Sequence, residues 1–279
     1  MKEVFSMWKY TRMIILVALS AAIYAAFLIV FKAGIPIVPG ITEVRPANVF
    51  PPVFSLLFGP AGAWGAAIGN LIGDLFGGTL GIGSIFGFVG NFFLGFIPYK
   101  LFGSLFGLVP ANDMSQRTNS GKKLLAFEIA ALVASAACGI MIAWYLDLAK
   151  IVPFAFLAIT ITLNNFAAAV VLGPILLTLL FPRVKRWGLI WTDIMKKEDV
   201  APGFGKGLGA ILMIVGSLGG LIVGILVATG VSGQKLLGFA GEQGQTAVWL
   251  AVLPFLALII VASLMLSGRE QFVEEVDEV

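Results

Sequence analysis

The sequence predicts an all-α integral membrane protein with eight transmembrane helices and both termini in the cytoplasm. Of its 279 residues, 59% are hydrophobic and 12% are charged, and the mean hydropathy is +1.01. Soluble domains have about 25% charged residues, so this chain lacks the charge to cover a water-exposed surface. Several uncharged runs are long enough to cross a bilayer as helices. We therefore expect a multi-pass protein of the cell (plasma) membrane.

Uncharged runs predict five of the eight helices. The first run, 13–31, lies between Arg12 and Lys32. It continues well past any plausible signal-peptide cleavage point and is therefore a retained first helix. The later runs are 129–146, 151–182, 207–234 and 243–268.

The region 45–100 holds either two crossings, broken at Asp74, or three, broken at Gly59-Pro60 and Gly77-Gly78. Basic residues concentrate on the cytoplasmic side of membrane proteins, and three crossings put 14 of the 18 Lys and Arg residues there. Two crossings would move most of them outside, so three are predicted, with a short second helix over 47–58. The basic residues left outside are Lys32, Arg45, Lys150 and Lys235.

A basic segment divides the chain. Residues 1–185 are predicted to form a six-helix membrane unit and 186–206 a basic cytoplasmic linker. Residues 207–267 supply two further transmembrane helices, to which the sequence assigns no role. Residues 268–279 form an acidic cytoplasmic tail, since the last ten residues include five acids.

The composition excludes several classes of chemistry. The chain has no histidine and one cysteine, Cys138, which excludes disulfides, imidazole metal sites and histidine-dependent nucleophilic catalysis. It also lacks a P-loop motif, so any ATP must be hydrolysed by another chain. We expect no enzymatic activity, no cofactor and no bound metal. The net charge of +3 says little about partners, because the placement of the basic residues carries the information. We expect no nucleic-acid partner.

Polar side chains at membrane depth are few, and each must be paired or lie against a cavity. Interhelical hydrogen bonds would explain the asparagines as well as a pocket would, and Asp74 would also suit a water-facing position. Their common location in the outer half of the membrane favours a small-molecule pocket that opens outward. The candidate substrate-binding residues are Arg45, Asn48, Asp74, Asn91, Asn164 and Asn165.

Small residues recur on two helices. Gly65, Gly69, Gly73 and Gly77 indicate close helix packing inside the protein. An alanine stripe on the first helix is smooth enough for a partner helix, although internal packing would explain it equally well. The candidate partner-binding residues are Ala18, Ala21, Ala22 and Ala25.

Four runs together resemble the substrate-binding S components of energy-coupling factor (ECF) transporters. The first helix contains ALSAAIY at 18–24, and VRPAN follows at 44–48. LFGPAGA at 57–63 and GNLIGDLFGG at 69–78 complete the pattern. The resemblance covers about residues 10–185, and it leaves the last two helices outside the usual unit.

The resemblance implies a six-helix bundle that captures a vitamin or related micronutrient from outside. Such subunits associate with a transmembrane coupling subunit and a cytoplasmic ATPase pair, and topple in the bilayer to release substrate. It places Ala18, Ala22 and their neighbours against the coupling subunit. Nickel and cobalt members use an N-terminal histidine, whose absence argues against a metal substrate. Ligand contacts are implied at Arg45, Asn48, Asp74, Asn91 and Asn164.

Two functions follow from different assumptions. The favoured one is the substrate-specific binding subunit of an ATP-driven ECF importer. The alternative is a self-sufficient secondary transporter, with Asp74 or Glu43 as a proton or sodium site. A membrane enzyme would need a cluster of reactive side chains that the sequence does not contain. Uptake without a coupling subunit, or dependence on an ion gradient, would distinguish the first two.

Overall fold

The computed structural model describes residues 1–32, 36–38, 42–43, 45–106, 120–230, 244 and 246–272. Short 3₁₀ turns lie at Met7–Lys9, Pro46–Val49, Lys197–Asp199 and Arg269–Gln271. The helices are α1 Lys2–Ser6, α2 Thr11–Lys32, α3 Phe50–Phe58, α4 Pro60–Phe76, α5 Ile82–Phe102, α6 Ser120–Leu148, α7 Phe154–Arg186, α8 Trp191–Ile194, α9 Lys206–Ile214, α10 Gly220–Thr229 and α11 Thr246–Met265.

The described part of the chain is helical apart from a small hairpin between α2 and α3. Its strands, β1 Pro36–Val38 and β2 Thr42–Glu43, pair antiparallel. The all-α prediction therefore holds for the bundle and misses this hairpin, whose short strands produce no clear alternation in the sequence.

Six helical segments in the described residues are long and apolar enough to cross a membrane. The shorter apolar segment Pro46–Phe58 precedes α4, which has 17 residues. The six long segments are Thr11–Phe31, Ile82–Phe102, Ser120–Leu148, Phe154–Ile194, Lys206–Thr229 and Thr246–Met265.

The helices of the region 45–100 break at the two positions expected for three crossings. Gly59 separates α3 from α4 with a φ of +53°, and a Cβ there would lie 2.6 Å from the Trp191 ring. Only glycine meets both conditions. Helix α4 ends at Phe76, and Gly78 after it also has a positive φ, of +70°.

Helix α4 packs closely on α2 through its glycines. A Cβ at Gly65 would lie 2.4 Å from Ser20 Cβ, and one at Gly69 would lie 2.9 Å from the Ala21 carbonyl oxygen. Such small residues let helix backbones approach in lipid. On its other side α4 packs on α5, and α5, α6 and α7 follow as successive neighbours.

The last helices form a second layer behind α6 and α7. Helix α9, a π-helical segment at Val215–Gly219 and α10 form one continuous span, which packs on α11, α6 and α7. Gly216 and Gly220 in this span lie against Phe255 of α11.

A buried ion pair lies at one end of the bundle, called here the Lys100 end. Lys100 and Glu3 pair with both side chains fully buried. Lys100 also donates a hydrogen bond to the carbonyl oxygen of Leu266 at 3.2 Å, and the Ala201 amide donates to Glu3 Oε2 at 3.4 Å. These contacts join the N-terminal segment to α5, to the segment after α8 and to the end of α11.

Trp191 extends this network from the segment predicted as a linker. Its indole N–H donates to Gln271 Oε1 at 3.1 Å, and Gln271 Nε2 donates to the Tyr99 carbonyl oxygen. Trp191 is fully buried, so the segment 186–206 contributes to the packed body. The predicted acidic tail lies outside the described residues beyond Phe272.

Candidate ligand-binding site

A cavity lies at the opposite end of the bundle, called here the Asp74 end. With the open space at its mouth it has a volume of about 900 Å³. It reaches the surface beside Gly81 and Ile151, which are exposed. Its polar lining residues are Arg45, Asn48, Asn70, Asp74, Thr79, Ser84, Asn91, Asn164 and Asn165.

All six residues predicted for substrate binding line this one cavity. They come from four elements: the turn Pro46–Val49 with the residue before it, α4, α5 and α7. This grouping agrees with the expectation that polar side chains at membrane depth are either paired or face a cavity. Their contribution to ligand binding remains a prediction. The six are Arg45, Asn48, Asp74, Asn91, Asn164 and Asn165.

Asp74 forms an acidic wall of the cavity and is 8% exposed. Asn70, one helical turn earlier, donates from Nδ2 to Asp74 Oδ2 at 3.2 Å, and the Thr79 hydroxyl donates to Asp74 Oδ1 at 3.4 Å. Asn70 Oδ1 is buried and has no hydrogen-bond partner among the described residues. A buried acceptor of this kind is costly unless something donates to it, so this wall suits a ligand with N–H or O–H groups.

A row of hydrogen-bonded side chains links the helices around the cavity. Asn91 Nδ2 donates to the Gly87 carbonyl oxygen at 2.8 Å. The Tyr24 hydroxyl lies 2.8 Å from Oδ1 of both Asn91 and Asn48, and Asn48 Nδ2 donates to Asn165 Oδ1 at 2.5 Å. A phenol has one proton, so Tyr24 donates to one amide at a time, and the other amide must turn its NH₂ toward the hydroxyl oxygen.

Asn165 ends this row, and its Nδ2 has no hydrogen-bond partner among the described residues. A 180° rotation of the Asn48 amide would place its carbonyl oxygen where its NH₂ now donates to Asn165. The Asn165 amide would then rotate as well, so that its carbonyl oxygen takes the position of its unpartnered NH₂. Asn165 can therefore offer either a donor or an acceptor to a ligand.

Arg45 and Asn164 lie on the α7 side of the cavity. The Arg45 backbone amide donates to Asn164 Oδ1 at 3.1 Å. Arg45 and Asp74 are the charged residues among the described lining residues. The cavity thus carries opposite charges on different walls, which would orient a polar ligand.

An aliphatic wall completes the cavity. Cys138, which is 1% exposed, and Ile142 and Leu146 line it from α6, and Ile161 lines it from α7. Apolar walls with a few placed polar groups are typical of small-molecule sites. This wall suits the apolar face of a ligand whose edges meet the polar groups.

A packed core separates the cavity from the Lys100 end. Asn91 and Lys100 are nine residues apart on α5, or about 13 Å at 1.5 Å per residue. Leu94, Phe96 and Ile97 between them are fully buried. In the described residues, no group of three or more Cys, Asp or Glu side chains could hold a metal. The side chain of Glu43, the other candidate ion site, lies outside the described residues.

The alanine stripe of α2 divides into two faces. Ala21 and Ala25 are both 3% exposed, and the backbone of Ala21 lies against Gly69 of α4. Ala18 and Ala22 are exposed. Two of the four residues predicted for partner binding are thus buried inside the protein, and Ala18 and Ala22 remain available to a partner.

Sequence reasoning missed the aliphatic wall of the cavity and also five hydroxyl, amide or thiol residues that line or neighbour it. The four-residue spacing of Asn70 and Asp74 on one helix was an available signal, but the glycines around them indicated packing alone. Tyr24 carried no signal, because an aromatic residue on a membrane helix usually serves packing. The five are Tyr24, Asn70, Thr79, Ser84 and Cys138.

Comparison with known proteins places most of the bundle in one family. A family model described as QueT transporter matches residues 14–182, well over half of the chain. The match includes every predicted substrate-binding residue and ends before α8. No curated protein and no solved structure matches the chain.

Proposed function

The chain belongs to the QueT transporter family, and we propose that it is the substrate-binding subunit of an ECF importer for a queuosine precursor. QueT is a family of ECF S components associated with a queuosine precursor. It is a transporter family and not an enzyme family. This chain would capture the substrate, and other subunits would hydrolyse ATP.

The polar cavity at the Asp74 end is the observation that carries the proposal. Asp74 and Asn70 Oδ1 suit ligand donors, Asn165 Nδ2 suits a ligand acceptor, and the α6 wall suits an apolar face. A small heterocycle with donors and acceptors on its edges would satisfy all three walls at once. We propose that Arg45, Asn48, Asp74, Asn91, Asn164 and Asn165 bind the substrate.

The packed core below the cavity favours an S component over a secondary transporter. Alternating access opens a central site to both sides by rocking one half of the protein against the other. Here fully buried Leu94, Phe96 and Ile97 separate Asn91 from the buried Glu3–Lys100 pair. Movement of the subunit as a whole would leave this core intact.

The proposed orientation puts the Asp74 end outside and both termini in the cytoplasm, with eight crossings. Its support is the distribution of basic residues, since the Lys100 end carries Arg183, Lys185, Lys196 and Lys197 near its surface. The exposed face of α2 at Ala18 and Ala22 would then contact the coupling subunit.

Ligand binding by the purified protein tests the proposal. A radiolabelled queuosine precursor should bind, and alanine at Arg45, Asn91 or Asn164 should each weaken binding roughly 5- to 150-fold, because a lost buried hydrogen bond costs about 1–3 kcal/mol. Thr178→Ala is the control, since this exposed hydroxyl donates only within α7, to Pro174 at 2.8 Å. Unchanged affinity in all three variants would place the ligand elsewhere.

Uptake in cells tests the coupling. Accumulation of the precursor should require the coupling subunit and the ATPase pair, and should persist when the proton and sodium gradients are collapsed while ATP is maintained. Uptake by this chain alone, driven by an ion gradient, would instead support the secondary transporter.

A further inference from the structure

Helix α6 has the cavity on one face and the C-terminal helices on the other. Cys138, Ile142 and Leu146 line the cavity. Ile140, two residues from Cys138 and hence about 200° around the helix, contacts α10, where a Cβ at Gly220 would lie 3.0 Å from Ile140 Cδ1. A single helix thus separates α9–α11 from the ligand site.

A second contact joins the same layers near the cavity mouth. The Trp144 indole N–H donates to the Trp249 carbonyl oxygen of α11 at 3.3 Å. Trp144 lies two residues from Ile142 and Leu146, which line the cavity. The contact therefore links α11 to α6 at the level of the site.

The start of α7 is clamped by α10 and α11. The ring of Phe154, the first residue of α7, is fully buried. A Cβ at Gly224 of α10 would lie 2.4 Å from this ring and 2.8 Å from Val252 of α11. The absence of a side chain at Gly224 is what makes room for the ring.

Phe154 is also tied to the turn that closes one side of the cavity. Its backbone amide donates to Asp147 Oδ1 at 3.1 Å, and Asp147 is 1% exposed. The turn between them is closed by the Ile151 amide donating to the Leu146 carbonyl oxygen at 2.9 Å. Leu146 and Ile151 both line the cavity.

From these contacts we propose that α9–α11, which lie beyond the family match, support the ligand site and set its affinity. Gly224 and Phe154 act as positioning residues, because they fix the turn 146–153 through the Asp147 hydrogen bond without touching the cavity. The inference rests on the proposed function, since the property it assigns to these helices is control of ligand binding. The last two membrane helices thus support the ligand site from outside the six-helix unit.

Gly224→Ala is the direct test. Ordinary contact between carbon atoms needs about 3.5–4.0 Å, so the Phe154 ring must move by about 1 Å to admit the new methyl group. The Kd for a radiolabelled queuosine precursor should rise about 5-fold or more, a coupling typical of residues in contact. Gly207→Ala is the matched control, because a Cβ there meets no atom within 4 Å, and its Kd should not change.

A rescue variant separates positioning from general stability. Phe154→Leu in the Gly224→Ala background removes ring atoms that the methyl group displaces, and it should bring the Kd back toward that of the wild type. If the contact only stabilised the fold, Gly224→Ala would lower the fraction of active protein while the active molecules bound with the wild-type Kd. That result would overturn the inference.

Trp144→Phe provides a second test that does not crowd the core. It removes the hydrogen bond to Trp249, and the Kd should rise about 2-fold or more. Trp187→Phe, at a position 67% exposed, should leave the Kd unchanged.

If Gly224→Ala does not fold, an unchanged Kd in Trp144→Phe overturns the inference. Equal affinity in wild type and both variants overturns the inference alone, whereas a wild type that binds no precursor overturns the proposed function and the inference with it.

Discussion

The Tyr24 hydroxyl lies 2.8 Å from Asn91 Oδ1 and joins α2 to a residue that lines the cavity. Tyr24 is 1% exposed, so this contact is made away from lipid and water. The same helix carries exposed Ala22 two residues earlier. Helix α2 therefore has one side in the hydrogen-bonded row beside the cavity and another side that is exposed.

Tyr24→Phe should weaken binding of the precursor. The change keeps the ring and removes the hydroxyl, which leaves the amides of Asn48 and Asn91 without that partner in a buried place, at a cost of about 1–3 kcal/mol. Part of this cost should appear as a higher Kd in a filter-binding or calorimetric assay. Tyr145→Phe is the control, because its ring stacks on Phe86 and does not line the cavity. Equal affinity in both variants would mean that the row does not shape the site.

The sequence predicted the polar half of the site and missed the residues that organise it. Charged and amide side chains at membrane depth are rare enough that each one needs an explanation, and this physical constraint identified six lining residues. The place of Tyr24 beside the cavity was not predicted, because its hydrogen-bond partners Asn48 and Asn91 lie 24 and 67 residues away in the chain. Long-range hydrogen bonds leave no local pattern in a sequence.

The helix breaks were predictable and the packing of the C-terminal layer was not. Gly59-Pro60 and Gly77-Gly78 have local backbone causes, a positive φ and a proline at a helix start. In contrast, the burial of Trp191 depends on Gln271 and on Gly59, which lie far from it in sequence. The basic composition of 186–206 therefore did not reveal that Trp191 in this segment is buried, and the assignment of the segment as a cytoplasmic linker stays a prediction.

Cysteine labelling in whole cells tests the proposed orientation. Lys150→Cys should react with a membrane-impermeant thiol reagent, whereas Ser120→Cys and Lys196→Cys should react only after lysis. All three positions are exposed, so protection would reflect the membrane and not burial. Native Cys138 is 1% exposed and should stay unlabelled. Labelling of Lys196→Cys from outside would contradict the eight-crossing topology.

The buried Glu3–Lys100 pair should make stability depend on pH. Burial by itself would raise the pKa of the Glu3 carboxyl, but the Lys100 ammonium and the N-terminal ammonium of Met1, with the hydrogen bonds to Glu3, together outweigh burial and hold that pKa below its ordinary value of 4.5. A lowered carboxyl pKa stabilises the fold above the unfolded-state pKa, and this stabilisation is lost as pH falls through the folded-state pKa. The Tm of the purified protein should therefore fall as the pH drops below about 4.5.

Glu3→Gln isolates this contribution. Removing one partner of a buried pair costs about 3–5 kcal/mol, so at neutral pH the variant should melt well below the wild type. The difference in Tm should narrow in acid, because the wild-type carboxyl is then protonated. Glu198→Gln is the control, since Glu198 pairs with Lys196 at the surface with both side chains over 70% exposed, where such pairs contribute little. A constant Tm difference across pH would contradict the role of the charge.

The two faces of the alanine stripe permit a paired test of the partner surface. Ala22→Leu adds bulk to the exposed face of α2, where contact with a partner helix in lipid depends on close van der Waals fit. It should abolish uptake and weaken co-purification with the coupling subunit, while precursor binding by the isolated protein stays normal. Ala21→Leu adds the same bulk on the buried face against Gly69, so it should lower expression and precursor binding together. If Ala22→Leu supports normal uptake, this face of α2 contacts lipid and the coupling subunit must dock elsewhere.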